Sequence, residues 1–240
     1  VARFFEDNRT AYLAFDHDDG PLLRAWWPQH LGLGERALLE RVLPLLDGLA
    51  VMHARGLLHR DIRPDTVKVR HADGRFVLLA WGTFGQAISA EPRADISPGY
   101  AAPEQHRRGA QGPWTDLYAL GATLYWMVAG RKPPDAEMRL ADPQAYRRAV
   151  EVGRGRFGEP FLAAIDRALA LDPADRPRDV LDLRDALLAD HAPLRGRSDA
   201  LQPGDTVLEG PAPVHSRAPL RSEEHTSELQ SRVDISYAVF

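Results

Sequence analysis

Two short apolar runs, VKV at 67–69 and RFVLL at 75–79, flank the four residues HADG, and no other segment narrows the fold as much. The Asp73-Gly74 pair favours a tight turn, because glycine enters the left-handed region without steric cost, so the runs are expected to pair as an antiparallel hairpin. Just upstream, Leu38, Val42, Leu45, Leu49 and Met52 recur every three or four residues between Glu35 and Arg55. That spacing marks one face of an amphipathic helix, and Gly56 supplies a left-handed stop. Pro44 removes one backbone hydrogen bond from this helix, so a kink is expected there.

The rest of the chain is read the same way. Residues 9–17 (RTAYLAFDH) suggest a strand, closed by the polar break Asp18, Asp19, Gly20 and Pro21. Residues 83–102 are rich in Gly, Pro and Ser and too long for a mere connection, which makes them a candidate functional loop. Thr115 is expected to cap a second helix, with Asp116 at the positive end of its dipole and Leu117, Leu120, Leu124 and Val128 as a stripe ending at Gly130. This helix is expected to be central and buried. Further helices are expected at 160–171, through Phe161, Leu162, Ile165 and Leu169, and at 177–190, opened by Pro177. Residues 191–220 read as a Pro-rich linker.

A chain of 240 residues with 44% hydrophobic and 27% charged residues can bury a full core, and one main domain is expected. The net charge of -4 and pI near 6.1 give no electrostatic reason to propose nucleic acid or an anionic membrane as a partner. Absence of cysteine excludes disulfides and thiolate metal sites. No run approaches the roughly 20 apolar residues of a membrane span, so a cytoplasmic location is expected, with any membrane anchor lying beyond the linker. The opening VARFFEDNRT reads as a chain cut at its front. RSEEHTSELQS at 221–231 resembles the translation of a sequencing-adapter oligonucleotide, and 221–240 are set aside from fold reasoning.

The chemistry concentrates between helix and hairpin. An exposed aspartate followed within five residues by another oxygen donor, then by a hairpin, suits phosphoryl transfer. One carboxylate orients the attacking hydroxyl while metal ions neutralise charge on the transferring phosphate. His59, Arg60, Asp61 and Thr66 have that spacing.

Four motifs in order then resemble the bacterial serine/threonine branch of the protein-kinase family over roughly residues 1–190. They are HRDIRPDT at 59–66, SPGYAAPEQ at 97–105, TDLYALGATLY at 115–125 and LDPADRP at 171–177. The resemblance implies an α+β, protein-kinase-like fold, mostly the helical C-lobe (21–190) with the last strands and hinge of the N-lobe (1–20). It implies ATP and Mg2+ as cofactors, and a protein substrate or regulatory protein as partner. By the same resemblance Asp61 accepts or steers the proton of the substrate hydroxyl, Arg63 stands where a lysine usually contacts the transferred phosphate, and Ser97 shapes the hydroxyl pocket. Arg60 is expected to pair with a phosphorylated residue in 83–97, Ser89 being the nearest candidate. Glu104 and Arg176 are expected to form a buried ion pair, Asp116 to hydrogen-bond the backbone of the catalytic loop, and His59 to pack. Phe15 takes the gatekeeper position, and Asp16, His17 and Asp18 take the hinge whose backbone bonds adenine.

The departures from the family pattern are as informative as the matches. Ala80, Trp81 and Gly82 occupy the place of Asp-Phe-Gly, and a methyl group cannot ligate a cation. Thr66 stands in place of an asparagine that binds the second metal, and its hydroxyl has a shorter reach. Lys68 alternates onto the face that lies under adenine, where the desolvation cost of a cation favours displacement of the base. The glycine-rich loop, the strand lysine and its helix glutamate are missing upstream. The reading is a regulatory, partner-binding pseudokinase. The alternative is an active serine/threonine kinase using Asp61 as base. A small-molecule phosphotransferase stands behind both, since SPGYAAPEQ is not expected in one.

Overall fold

The computed structural model describes residues 3–7, 10–15, 19–79, 96–107, 109–195 and 236–239. The chain divides into two compact units, one formed by Gly20–Ala200 and the other by Val1–Asp19 with Leu201–Phe240. In the smaller unit β1 (Arg3–Asp7) pairs antiparallel with β2 (Thr10–Phe15), from Arg3 opposite Ala14 to Asp7 opposite Thr10.

The larger unit begins with α1 (Leu23–Trp26), which runs into a 3-10 turn at Trp27–Gln29 and then α2 (Glu35–Ala54). The expected stripe on α2 is buried from Leu38 to Leu49, while Met52 is half-buried. The helix continues through Pro44 as one element, and Gly56 follows with φ of 71°. The hairpin forms as β3 (Val67–Val69) and β4 (Phe76–Leu78), pairing Val67 with Leu78, Lys68 with Val77 and Val69 with Phe76. Its turn is wider than a two-residue one. Arg70 N–H bonds Arg75 O at 3.0 Å and Gly74 N–H bonds Arg70 O at 2.8 Å, with Gly74 at φ 71°.

Next come α3 (Pro103–His106) and α4 (Pro113–Ala129). Every α4 residue from Thr115 to Val128 is buried, as expected for a helix that is apolar on nearly all sides. Its start departs from expectation: Pro113 opens the helix and Thr115 is its third residue. Thr115 Oγ1 accepts the Gly112 N–H at 3.2 Å and donates to Glu104 Oε1 at 2.8 Å, so its hydroxyl serves a long-range contact as well as the helix start. Gly130 ends the helix at φ 70°, as expected.

Among the described residues five further helices follow: α5 (Ala136–Ala141), α6 (Ala149–Val152), α7 (Glu159–Ala168), α8 (Val180–Leu187) and α9 (Ala192–Arg195). Helix α7 stops at Ala168, short of the expected 171. Helix α8 opens at Val180 rather than Pro177, because Asp179 accepts the Asp182 N–H at 2.8 Å and thereby caps it. α9 falls inside the expected linker, with Leu194 buried at 1% exposure. Helices α1, α3, α5 and α6 were not expected, since four to six residues hold too little of a 3.6 period to register.

Residues 236–239, within the stretch set aside above, form β5 (Ser236–Val239) and pair antiparallel with β2, making β2 the central strand of three. SYAV is rich in strand formers, and β2 offers it a free edge. Among the described residues no helix is long and apolar enough to cross a membrane.

Candidate functional site

The loop between α2 and β3 is fixed backbone first. Arg60 has φ of 66° and is the one non-glycine residue with positive φ among those described. Left-handed backbone costs roughly 1–2 kcal/mol for a residue with a Cβ, so surrounding contacts must hold it. They do. Asp116, wholly buried in α4, accepts the His59 N–H on Oδ2 at 2.9 Å and the Arg60 N–H on Oδ1 at 2.6 Å. Gln105 Nε2 donates to Arg60 O at 2.9 Å, so both backbone groups of the strained residue are bonded. His53 Nε2, on α2, lies 2.8 Å from the same Asp116 Oδ2.

His59 is 2% exposed, and its ring ties the loop to the hairpin. The Asp61 N–H points at Nδ1 at 3.3 Å, which makes Nδ1 the acceptor and leaves Nε2 to donate to Leu79 O at 3.1 Å. Thr66 closes the loop from the other side. Its hydroxyl donates to Asp61 O at 2.6 Å and accepts the Arg63 N–H at 3.0 Å, and the residue is 7% exposed. Lys68 is half-buried between the buried Val67 and Val69, so the expected alternation holds.

With the backbone fixed, the side chains converge on one carboxylate. Asp61 Oδ1 accepts the Ser97 hydroxyl at 2.8 Å, and Arg63 Nε lies 3.1 Å from both Asp61 oxygens. Arg63 Nη1 also donates to Asp65 Oδ2 at 2.7 Å, and Arg24 of α1 grips Asp65 with two bonds of 2.5 and 2.6 Å. The Arg24 hydrogen bond, aided by the nearby Arg63 charge, holds the Asp65 carboxyl below the usual range. Burial pushes the Tyr100 hydroxyl above its ordinary value.

A buried ion pair ties residues 96–107 to the helices. Arg176 donates to Glu104 through both terminal nitrogens, and its remaining donors reach Ala170 O, Leu171 O and Trp114 O. Every nitrogen of this buried guanidinium thus has an acceptor.

The structure therefore brings together Asp61, Arg63, Thr66 and Ser97, with His59, Arg60 and Asp116 behind them and Glu104 and Arg176 below. The side chain of Phe15 and the residues Asp16, His17, Asp18, Ala80, Trp81, Gly82 and Ser89 lie outside what is described. Arg24, His53, Asp65 and Gln105 also belong to the site and were not anticipated. Each makes a contact 41, 63, 41 and 45 residues away in turn, beyond any local pattern. Among the described residues no group of three or more His, Asp or Glu could hold a metal ion.

Residues 1–178 match the family model for the protein kinase domain. The serine/threonine-protein kinase PknA of Nostoc sp. is 31% identical over 196 residues, which cover 77% of this chain and 34% of that protein. The serine/threonine-protein kinase Pkn1 of Myxococcus xanthus is 32% identical over 228 residues, covering 88% and 32%. The chain thus spans about a third of the length of these relatives. Among solved structures, PpkA-294 in its apo form shares 33% identity with a TM-score of 0.65, covering 77% of this chain and 66% of that one. The PknI kinase domain of Mycobacterium tuberculosis shares 25% identity with a TM-score of 0.55, covering 78% and 68%.

Proposed function

The chain belongs to the protein kinase family, and from that premise we propose that it is a serine/threonine-kinase-like regulatory module which binds a protein partner, with phosphoryl transfer absent or vestigial. The observation that carries this reading is Ala80, two residues past the end of β4, where the family places its metal-binding aspartate. The neighbouring donors support it. Magnesium demands near-octahedral oxygen ligation, usually with one or two carboxylates. Here the Thr66 hydroxyl is turned into its own loop, and the Asp61 carboxylate is shared between Arg63 and Ser97. This donor set does not fit the cation.

In this reading Asp61, Ser97 and Arg63 form a pre-set recognition point for a hydroxyl-bearing segment rather than a turnover site. Arg60 would answer a phosphate in the 83–97 segment, with Ser89 as the candidate. Among the described residues its Nε is buried without a hydrogen-bond partner, which supports that role. At the nucleotide side, Lys68 would stand where adenine needs an apolar floor.

Thermal melts with ATP test the reading. A ligand at 100 times its Kd adds about 2.7 kcal/mol of stability, so binding is readily seen. The expected outcome is no shift that depends on magnesium, and a clear magnesium-dependent rise in Tm overturns the proposal.

One observation favours the second reading, an active kinase with Asp61 as base: the carboxylate is already oriented by Ser97 at 2.8 Å and by Arg63 at 3.1 Å. Transfer of radiolabelled phosphate to protein, abolished by Asp61→Asn and raised by Ala80→Asp, would establish it.

A further inference from the structure

Beside Asp61 lies an open cleft of about 340 Å³ lined by Arg24, Arg63, Ser97, Tyr100, Trp126 and Lys132, with Pro98 at its edge. Three of these residues are cations, two are aromatic, and none of the lining residues carries a carboxylate. The cations are positioned. Arg24 stands 5.7 Å over the Trp126 ring, and Lys132 Nζ donates to Pro98 O at 3.0 Å. The Lys132 stem lies against Gly99, where φ is 88° and an added Cβ would come within 3.0 Å of the lysine Cδ. The same Cβ would meet the backbone oxygen of Pro133 at 2.7 Å, so glycine at 99 lets backbone and lysine stem pack together.

Among the described residues, charge counting around the cleft leaves an excess. Arg24 and Arg63 are engaged by Asp65 and Asp61, so two cations face two carboxylates. Lys132 adds a third cation, and the hydrogen bond it makes is to a neutral carbonyl. The whole chain pulls the other way, with a net charge of -4 that favours basic ligands. A preference for acidic ligands at this cleft can therefore come only from its own walls.

We propose that the cleft selects an extended peptide carrying an acidic side chain beside its hydroxyl-bearing residue, with Lys132 as the specificity-determining contact. The inference rests on the reading of Asp61 and Ser97 as the point that receives a peptide hydroxyl. Trp126 and Tyr100 supply apolar wall for the segment, and the cations supply charge-assisted hydrogen bonds to its carboxylate.

Fluorescence anisotropy on the full chain tests this with three labelled peptides, each holding a central serine flanked by glutamates, by glutamines or by lysines. The glutamate peptide is expected to bind at least about tenfold tighter than the glutamine peptide, as one charge-assisted contact allows. Raised salt should narrow that gap. Lys132 is exposed, so Lys132→Glu should leave the thermal melt unchanged while removing the preference. Equal binding of all three peptides, tightest binding of the lysine peptide, or an order unchanged by Lys132→Glu would overturn the inference while sparing the peptide reading. If none of the three binds, the peptide reading fails and takes the inference with it.

Discussion

Arg176 and Glu104, 72 residues apart in sequence, meet through two parallel hydrogen bonds of 2.8 and 3.0 Å with side chains only 0% and 7% exposed. Removing one partner from so buried a pair strands the other charge. Glu104→Gln or Arg176→Met is expected to cost about 3–5 kcal/mol in urea unfolding, with the double apolar replacement much nearer neutral. A single variant costing under about 1 kcal/mol would place the pair with ordinary surface bridges.

Asp116 anchors the strained backbone at Arg60. In Asp116→Asn an amide donor replaces one carboxylate oxygen and faces a backbone N–H, so one acceptor is lost to either His59 or Arg60. The expected loss is about 1–3 kcal/mol, with faster amide exchange at residues 59 and 60 while far-UV circular dichroism holds. Unchanged exchange at both amides would show that the loop is fixed by something else.

Helices α4 and α7 touch at Gly121, where an added Cβ would sit 2.8 Å from the Cβ of Ala168. Gly121→Ala is therefore expected to destabilise by about 1–3 kcal/mol through overpacking. Adding Ala168→Gly should restore part of that loss. A double variant no better than the sum of its singles would sink the steric account.

Asp182 gives a pH signature. Hydrogen bonds from Arg167, then from the backbone N–H of Arg178, pull its pKa down to about 2, against roughly 3.9 for a free aspartate. A depressed carboxylate contributes stability that is complete above the unfolded value and is lost as pH falls through the folded one. The gap in urea midpoint between the parent chain and Asp182→Asn should be constant above about pH 5 and close between about pH 4 and pH 2. A gap as wide at pH 2 as at pH 6 would assign it to shape rather than charge.

Much of the fold was legible along the chain. The stripe from Leu38 to Leu49, the hairpin around HADG and the apolar helix ending at Gly130 each depend on residues within one or two turns of one another. The errors were at ends. Pro113 rather than Thr115 opens α4, because a residue able to cap does so only if its side chain is not claimed elsewhere, and Asp179, whose carboxylate accepts the Asp182 N–H, rather than Pro177 sets the start of α8. Thr115 was claimed in part by Glu104. In the site, HRDIRPDT located Asp61, Arg63 and Thr66, and the loop hydrogen bonds of Asp116 and the Glu104 to Arg176 pair followed from family resemblance.

Residue identity alone determined that position 80 carries a methyl group and position 61 a carboxylate. Those facts need no coordinates, since chemistry at a single position is written in one letter. Only the tertiary structure decided that Thr66 spends its hydroxyl on its own loop, that Asp116 holds Arg60 in a left-handed turn, and that Arg24, Arg63 and Lys132 gather at one cleft. Such pairings join residues tens of positions apart, and which of many possible partners a side chain meets is settled by how the helices pack.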